Sequence, residues 1–291
     1  MFRAELLKLR TTRTPWVLGI VALAGMVLIQ GLTIALPRIL SGLEGLGDGA
    51  TSGQASEMTA DLGGLTDLGS VGVQRTMLDL LGSGPGGSGS TSITVICMLL
   101  LGVLAVTTDF RTGGIVPTAL VSPSRLRVLA GKAGATAVVA LVVGAALAVL
   151  TALGLFVGVA STPGAQLVLD AGDVLGVWGR GLLVLVLFTW FGLGIGTLVR
   201  GQVAAILVVV GIALVEPLVQ AAVLLLSGGG SNAATWLPLG LGSLASTGQS
   251  ATGVLGGVAP LGVGAALAGL VAWVVVLLGS GAITFRRRDL V

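Results

Sequence analysis

Histidine and tyrosine are absent from this 291-residue chain, and cysteine occurs once. Without imidazole, the usual metal ligand, general base and physiological pH switch is missing. One thiol allows no intrachain disulfide and disfavours a thiolate metal site or redox pair. Cys97 lies inside an apolar run and reads as packing filler. Charge is scarce as well: 9% of residues are charged against 54% hydrophobic, so most of the vocabulary of enzyme sites is lacking. A phosphate loop is also missing, because LAGKAG around Gly131 and Lys132 has neither the earlier glycine nor the Ser or Thr that holds magnesium.

What the chain does have is apolar length. A mean hydropathy of +1.07 and repeated runs near the roughly 20 residues that cross about 30 Å of hydrocarbon indicate a membrane solvent. Lipid offers no partner to backbone amides, so continuous runs imply helices, whereas a barrel would show short alternating segments. The expected fold class is an all-α integral membrane protein with six transmembrane helices, at about 16–36, 93–108, 133–160, 181–199, 203–226 and 260–285. The second run is the shortest. The first lacks a small-residue cleavage site and reads as a retained anchor.

Six spans put both termini on one side, and the cations say which. Arg3, Lys8, Arg10, Arg13, Arg111, Arg125, Arg127, Lys132, Arg200, Arg286, Arg287 and Arg288 fall on one face of this topology, leaving Arg38, Arg75 and Arg180 on the other with Glu44, Asp48, Glu57, Asp61, Asp67, Asp79, Asp170 and Asp173. That asymmetry places both termini in the cytoplasm. A sequence pI near 10.0 therefore reflects cations at headgroups; no nucleic-acid partner is expected, and membrane lipids are.

The external loop, 37–92, contains the tether-like GSGPGGSGSTS and, in VGVQRTMLDLL, a short helix whose Val73, Met77, Leu80 and Leu81 suit the outer leaflet. A second external stretch, 227–259, carries TWLPLGLGSLA, too apolar for an ordinary loop; short re-entrant helices are expected there, shielded by protein. Residues 1–15 read as an interface helix, with Phe2, Leu6 and Leu9 on one face, Glu5, Lys8 and Thr12 on another, and Arg3 and Arg10 flanking them. Leu7 lies off the stripe. Small residues around Gly192, Gly194 and Gly196 allow close helix approach.

Between the second and third spans the chain reads TTDFRTGGIVPTALVSPSRLRVLAGK. Asp109 and Arg111 are expected to end the second span in water, Gly113 and Gly114 to permit a sharp turn, and Ser122-Pro123-Ser124 to start a capped helix carrying Arg125, Arg127 and Lys132 near the inner headgroups. A plain orientation signal needs only cations; turns, a cap and a helix specify a docking element. The segment 109–132 resembles the cytoplasmic loop of permease subunits of type-2 ABC exporters, through Asp109, Arg111, Thr112, Gly113, Gly114, Leu120, Ser122, Pro123, Arg125, Gly131 and Lys132, with Thr-Gly-Gly in place of Gly-Thr at the turn. FRAELLKLRTTRTPW, the Leu237-Pro238 pair and the terminal RRRDL share the resemblance. It implies a bacterial plasma-membrane permease, a coupling helix at 109–132 docking on a separate cassette ATPase that binds ATP and magnesium, no cofactor on this chain, and a pathway between two permease copies, as a homodimer or heterodimer.

Glu216 is the one carboxylate well within an expected span, about 20 Å along it, with Pro217 next and Gln220 one turn on. Three uses compete: a clamp on the re-entrant helices, a polar wall of the pathway, and proton coupling. Two other functional classes stand beside the exporter: a non-transporting membrane scaffold and an ion-coupled secondary transporter.

Overall fold

A computed structural model describes residues 2–46, 67–84, 92–111, 125–162, 164–199, 201–227, 233–248 and 261–287. Every regular element among them is helical: α1 Phe2–Thr11, α2 Arg13–Leu46, α3 Val71–Met77, α4 Ile93–Arg111, α5 Arg125–Ser161, α6 Ala171–Leu198, α7 Gln202–Ser227, α8 Pro238–Thr247 and α9 Val263–Arg287, with a short 3-10 helix at Ala233–Trp236. Six of these helices, α2, α4, α5, α6, α7 and α9, are long and apolar enough to cross a membrane. They lie where the six apolar runs indicate.

Their ends differ from the apolar runs in informative ways. α5 has 37 residues and α2 has 34, about 55 and 50 Å at roughly 1.5 Å per residue, which exceeds the hydrocarbon thickness. Helix therefore continues into polar sequence at Arg125–Lys132, where hydropathy alone ends the third span at 133. α6 starts at Ala171 rather than 181, because Asp170 caps it: the Asp170 Oδ1 accepts the Asp173 backbone N–H at 2.7 Å. The expected coupling turn at 112–124 and the tether residues 85–91 lie outside the described residues.

The centre of the bundle is the pair α4 and α6. Their most apolar stretches are 61% and 78% buried, against 22–33% for the other four, so two helices are enclosed by protein and four present a face outward. Glycine makes this pairing possible. A Cβ on Gly102 would lie 1.9 Å from the Thr189 carbonyl oxygen, and one on Gly192 would lie 2.0 Å from that of Leu99. Backbone therefore meets backbone, the close approach that small residues allow between membrane helices. Buried hydroxyls of Thr107, Thr136, Thr151 and Thr189 donate to carbonyls three or four residues back in their own helices, so they enter the core with their donors satisfied. Side chains such as Phe156, Val203, Leu225 and Leu226 stand 71–89% exposed, an exterior suited to lipid rather than water.

Two expectations need correction. The 71–81 segment does not present its apolar face to a leaflet: α3 stops at Met77, and Val73, Met77, Leu80 and Leu81 are all buried in the protein. Gln74, fully buried, holds the segment in place by donating to the carbonyls of Leu68 and Gln166 and accepting from the Val168 N–H. In α1 the predicted split of faces also fails, because Glu5 is buried while Phe2 is 43% exposed. The helix packs on α5, where a Cβ on Gly134 would lie 3.2 Å from the Phe2 ring, so Glu5 and Phe2 share the face turned toward the bundle.

Candidate functional site: a buried charge cluster at the root of the 112–124 segment

Residues 112–124 leave α4 at Arg111 and enter α5 at Arg125, so whatever this segment does is transmitted through those two helix ends. Asp109 stands in the last turn of α4 and Lys132 in the third turn of α5, 1% and 4% exposed. The Lys132 Nζ donates to the Asp109 Oδ2, to the Glu5 Oε2 at 3.0 Å and to the Ala105 carbonyl at 3.1 Å. Its three N–H donors are thus matched by three acceptors. The other Asp109 oxygen accepts from the Lys8 Nζ.

Two cations and two anions cancel in charge while joining three helices. Glu5 and Lys8 sit one turn apart on α1, so a single helical face offers one group of each sign to the α4–α5 junction. Attraction between buried charges is offset by lost hydration, and such a cluster specifies geometry more surely than it adds stability. Lys8, with its side chain 42% exposed, is the wet member. A cleft of about 40 Å³ lined in part by Glu5, Lys8 and Asp109 opens beside it, space for a water molecule.

The expectation that Asp109 would end its span in water, with Lys132 at the headgroups, is thereby corrected: the two neutralise each other inside the protein. Arg111 follows the expected course more closely. It is exposed, and donates to the Gln202 Oε1 at 3.1 Å, tying the end of α4 to the start of α7. Arg127 is exposed two residues into α5, and Arg10 is exposed on α1. Thr112, Gly113, Gly114, Ser122 and Pro123 lie outside the described residues. The Trp190 Nε1 donates to the Ala133 carbonyl at 3.0 Å, adding α6 to the same junction.

Glu216 and Gln220 form a second site. α8 begins at Pro238 with Leu237 as its cap residue, which supplies no capping hydrogen bond of its own. The missing acceptor comes from another helix: the Glu216 Oε1 accepts the Gly240 N–H at 2.8 Å and the Gln220 Nε2 at 3.1 Å. A carboxylate at a helix N-terminus meets both its free N–H groups and its positive dipole end. All ten residues of α8 are buried, and a Cβ on Gly242 would lie 2.2 Å from the Phe188 ring, so α8 reaches the middle of α6.

The C-terminal end of α8 rests on an acid whose role the sequence reading missed. Asp79, fully buried, accepts from the Ser246 Oγ at 2.5 Å, from the Leu81 and Ser83 N–H groups at 3.2 Å, and from the Ser83 hydroxyl. Burial pushes its carboxyl above the usual carboxylate range, against the opposing pull of those hydrogen bonds. The Arg180 Nε donates to the Ser246 carbonyl at 3.2 Å. A buried aspartate four residues before a serine in a turn-rich stretch carries no distinctive signature; only the length of apolar sequence around it hinted at burial. No protein-family model matches the chain, and no curated protein matches it.

Proposed function

We propose that this chain is the membrane subunit of an exporter driven by a separate cassette ATPase, with 112–124 as the element that docks on that ATPase. The observation that carries the reading is the ion cluster: Asp109 and Lys132 bridge the two roots of the segment, and Glu5 and Lys8 add α1 to the bridge. A segment meant only to orient the chain gains nothing from such bracing, whereas one that receives a push must pass it to its helices without bending at the junction.

In this account both termini and 112–124 face the cytoplasm of a bacterial plasma membrane, the side to which the cations point. α1 lies at the inner interface, and α8 enters from the outer side as a re-entrant helix capped by Glu216. Two copies of the subunit enclose the pathway. Closure of the ATPase on ATP and magnesium pushes the docking element, and the braced α1, α4 and α5 tilt together, shifting the balance between inward- and outward-facing states. The ATPase achieves this only by contacting the two states differently.

The test is purification of the chain from its native membrane and reconstitution with the cassette ATPase expected to come with it; absence of any such ATPase would contradict the proposal. Replacing Gly113 and Arg125 together should reduce ATP-driven transport at least tenfold while membrane insertion and basal ATP turnover persist. Unchanged coupling would contradict the proposal.

A further inference from the structure

Away from the charge cluster, α1, the first turns of α2 and the middle of α5 enclose an open groove of about 450 Å³, within the roughly 300–1,000 Å³ typical of ligand sites. Its walls are apolar, from Leu6 and Leu9 of α1 through Trp16 and Ile20 of α2 to Val142 and Ala146 of α5. The floor is a contact between α2 and α5, where a Cβ at Gly19 would lie 3.3 Å from the Val143 side chain. At the rim stands the one charged lining residue, Arg10. The Trp16 indole donates to the Arg10 carbonyl at 3.1 Å, which fixes the turn between α1 and α2 and keeps the tryptophan at the mouth.

The charge balance at this rim is one-sided. Arg3, Arg10 and Arg13 are all exposed, and no described residue accepts a hydrogen bond or ion pair from the Arg10 guanidinium. Glu5, the only acid on α1, is committed to Lys132. An apolar trough wide enough for a hydrocarbon chain, with an unpaired guanidinium at its wet end, matches one kind of molecule available in a membrane: an amphiphile with an anionic head. We infer that this groove is a binding site for an anionic glycerophospholipid, one acyl chain lying between α2 and α5 and the phosphate held by Arg10. The lipid bridges α1 to α5 through Leu6, Leu9 and Arg10, beside the Glu5–Lys132 pair, so α1 is held by charge and by lipid on adjacent faces. The inference requires only that the chain sits in a membrane; its failure would leave the transport proposal standing.

The test uses the full chain in phosphatidylcholine bilayers containing a trace of phosphatidylglycerol with a photoreactive diazirine in its acyl chain, adducts being mapped by mass spectrometry. Adducts should concentrate in 6–23 and 138–146, and unlabelled phosphatidylglycerol should displace the probe about fivefold better than phosphatidylcholine, the discrimination one cation near an anionic headgroup provides. Arg10→Gln should abolish that difference, and Ala146→Trp, at an exposed position, should lower the yield by filling the trough. Labelling spread evenly over outward faces such as 207–226, or equal displacement by the two lipids, overturns the inference. The wild-type competition decides it even where a variant fails to insert.

Discussion

Lys132 has every N–H donor engaged, and removing the Asp109 charge leaves two cations, Lys132 and Lys8, to the single anion Glu5. Asp109→Asn is expected to lower stability by about 3–5 kcal/mol, read as the thermal midpoint in detergent. Lys8→Ala, removing a partner 42% exposed, should cost about 0–1 kcal/mol. Combining Asp109→Asn with Lys132→Met should recover much of the first loss, since the charges that remain, Glu5 and Lys8, are opposite in sign and one turn apart on α1. A double variant as unstable as the single one would show that the cluster does not act as a unit. Glu216→Ala leaves the Gly240 N–H unsatisfied inside the protein and should cost about 1–3 kcal/mol, whereas Glu216→Gln keeps an acceptor and should cost less; hydrogen exchange at the α8 amides reports both. Asp79 adds a dependence on pH. Its folded-state carboxyl is raised, so between about pH 4, where the unfolded acid titrates, and the folded value the native state binds more protons than the unfolded one. Stability contributed by Asp79 is therefore complete at low pH and is lost as pH rises through that window. The wild-type midpoint should decline across it, and Asp79→Asn should flatten the decline.

Among elements, α4 and α6 are the test of packing. Gly102→Ala sets a methyl group against the Thr189 carbonyl oxygen, and no rotation of a methyl relieves a backbone clash. The helices must part, at a cost at or above the roughly 1–3 kcal/mol of ordinary overpacking. Gly211→Ala meets nothing within 4 Å and should be neutral or stabilising by up to about 1 kcal/mol; thermal midpoints of the two variants make the comparison. The spans were legible because a run of apolar residues is a local property, read without knowing what it touches. Gln220 could likewise be placed beside Glu216, since spacing of four fixes neighbours on a helix. The ion cluster was not legible. Lys132 meets Asp109 across 23 residues and Glu5 across 127, and no pattern in a single sequence pairs groups so far apart. Hydropathy also misjudged where α5 and α6 begin, because charge ends an apolar run at Lys132 and at Arg180 while the helices run on through Arg127 and back to the Asp170 cap.

Among the described residues, the molecule is a bundle of two enclosed membrane-length helices and four outward-facing ones, with α8 buried between them and polar devices near its two ends. One end carries Asp109, Lys132 and α1 at the base of 112–124; the other carries Asp79 and Arg180 beneath the end of α8. Such a layout suits a body that is rigid at each end and moves as a unit when one end is pushed. The central claim is that the pushed end is 112–124 and that the motor is another polypeptide. It is tested most directly by placing a photo-crosslinking amino acid at Ser122 of the full chain, in its native membrane, and identifying the adduct by mass spectrometry. The expected adduct is with a protein that carries a phosphate loop, in a yield that changes when ATP is added. Adducts with lipid alone, or with proteins that have no phosphate loop, would contradict it.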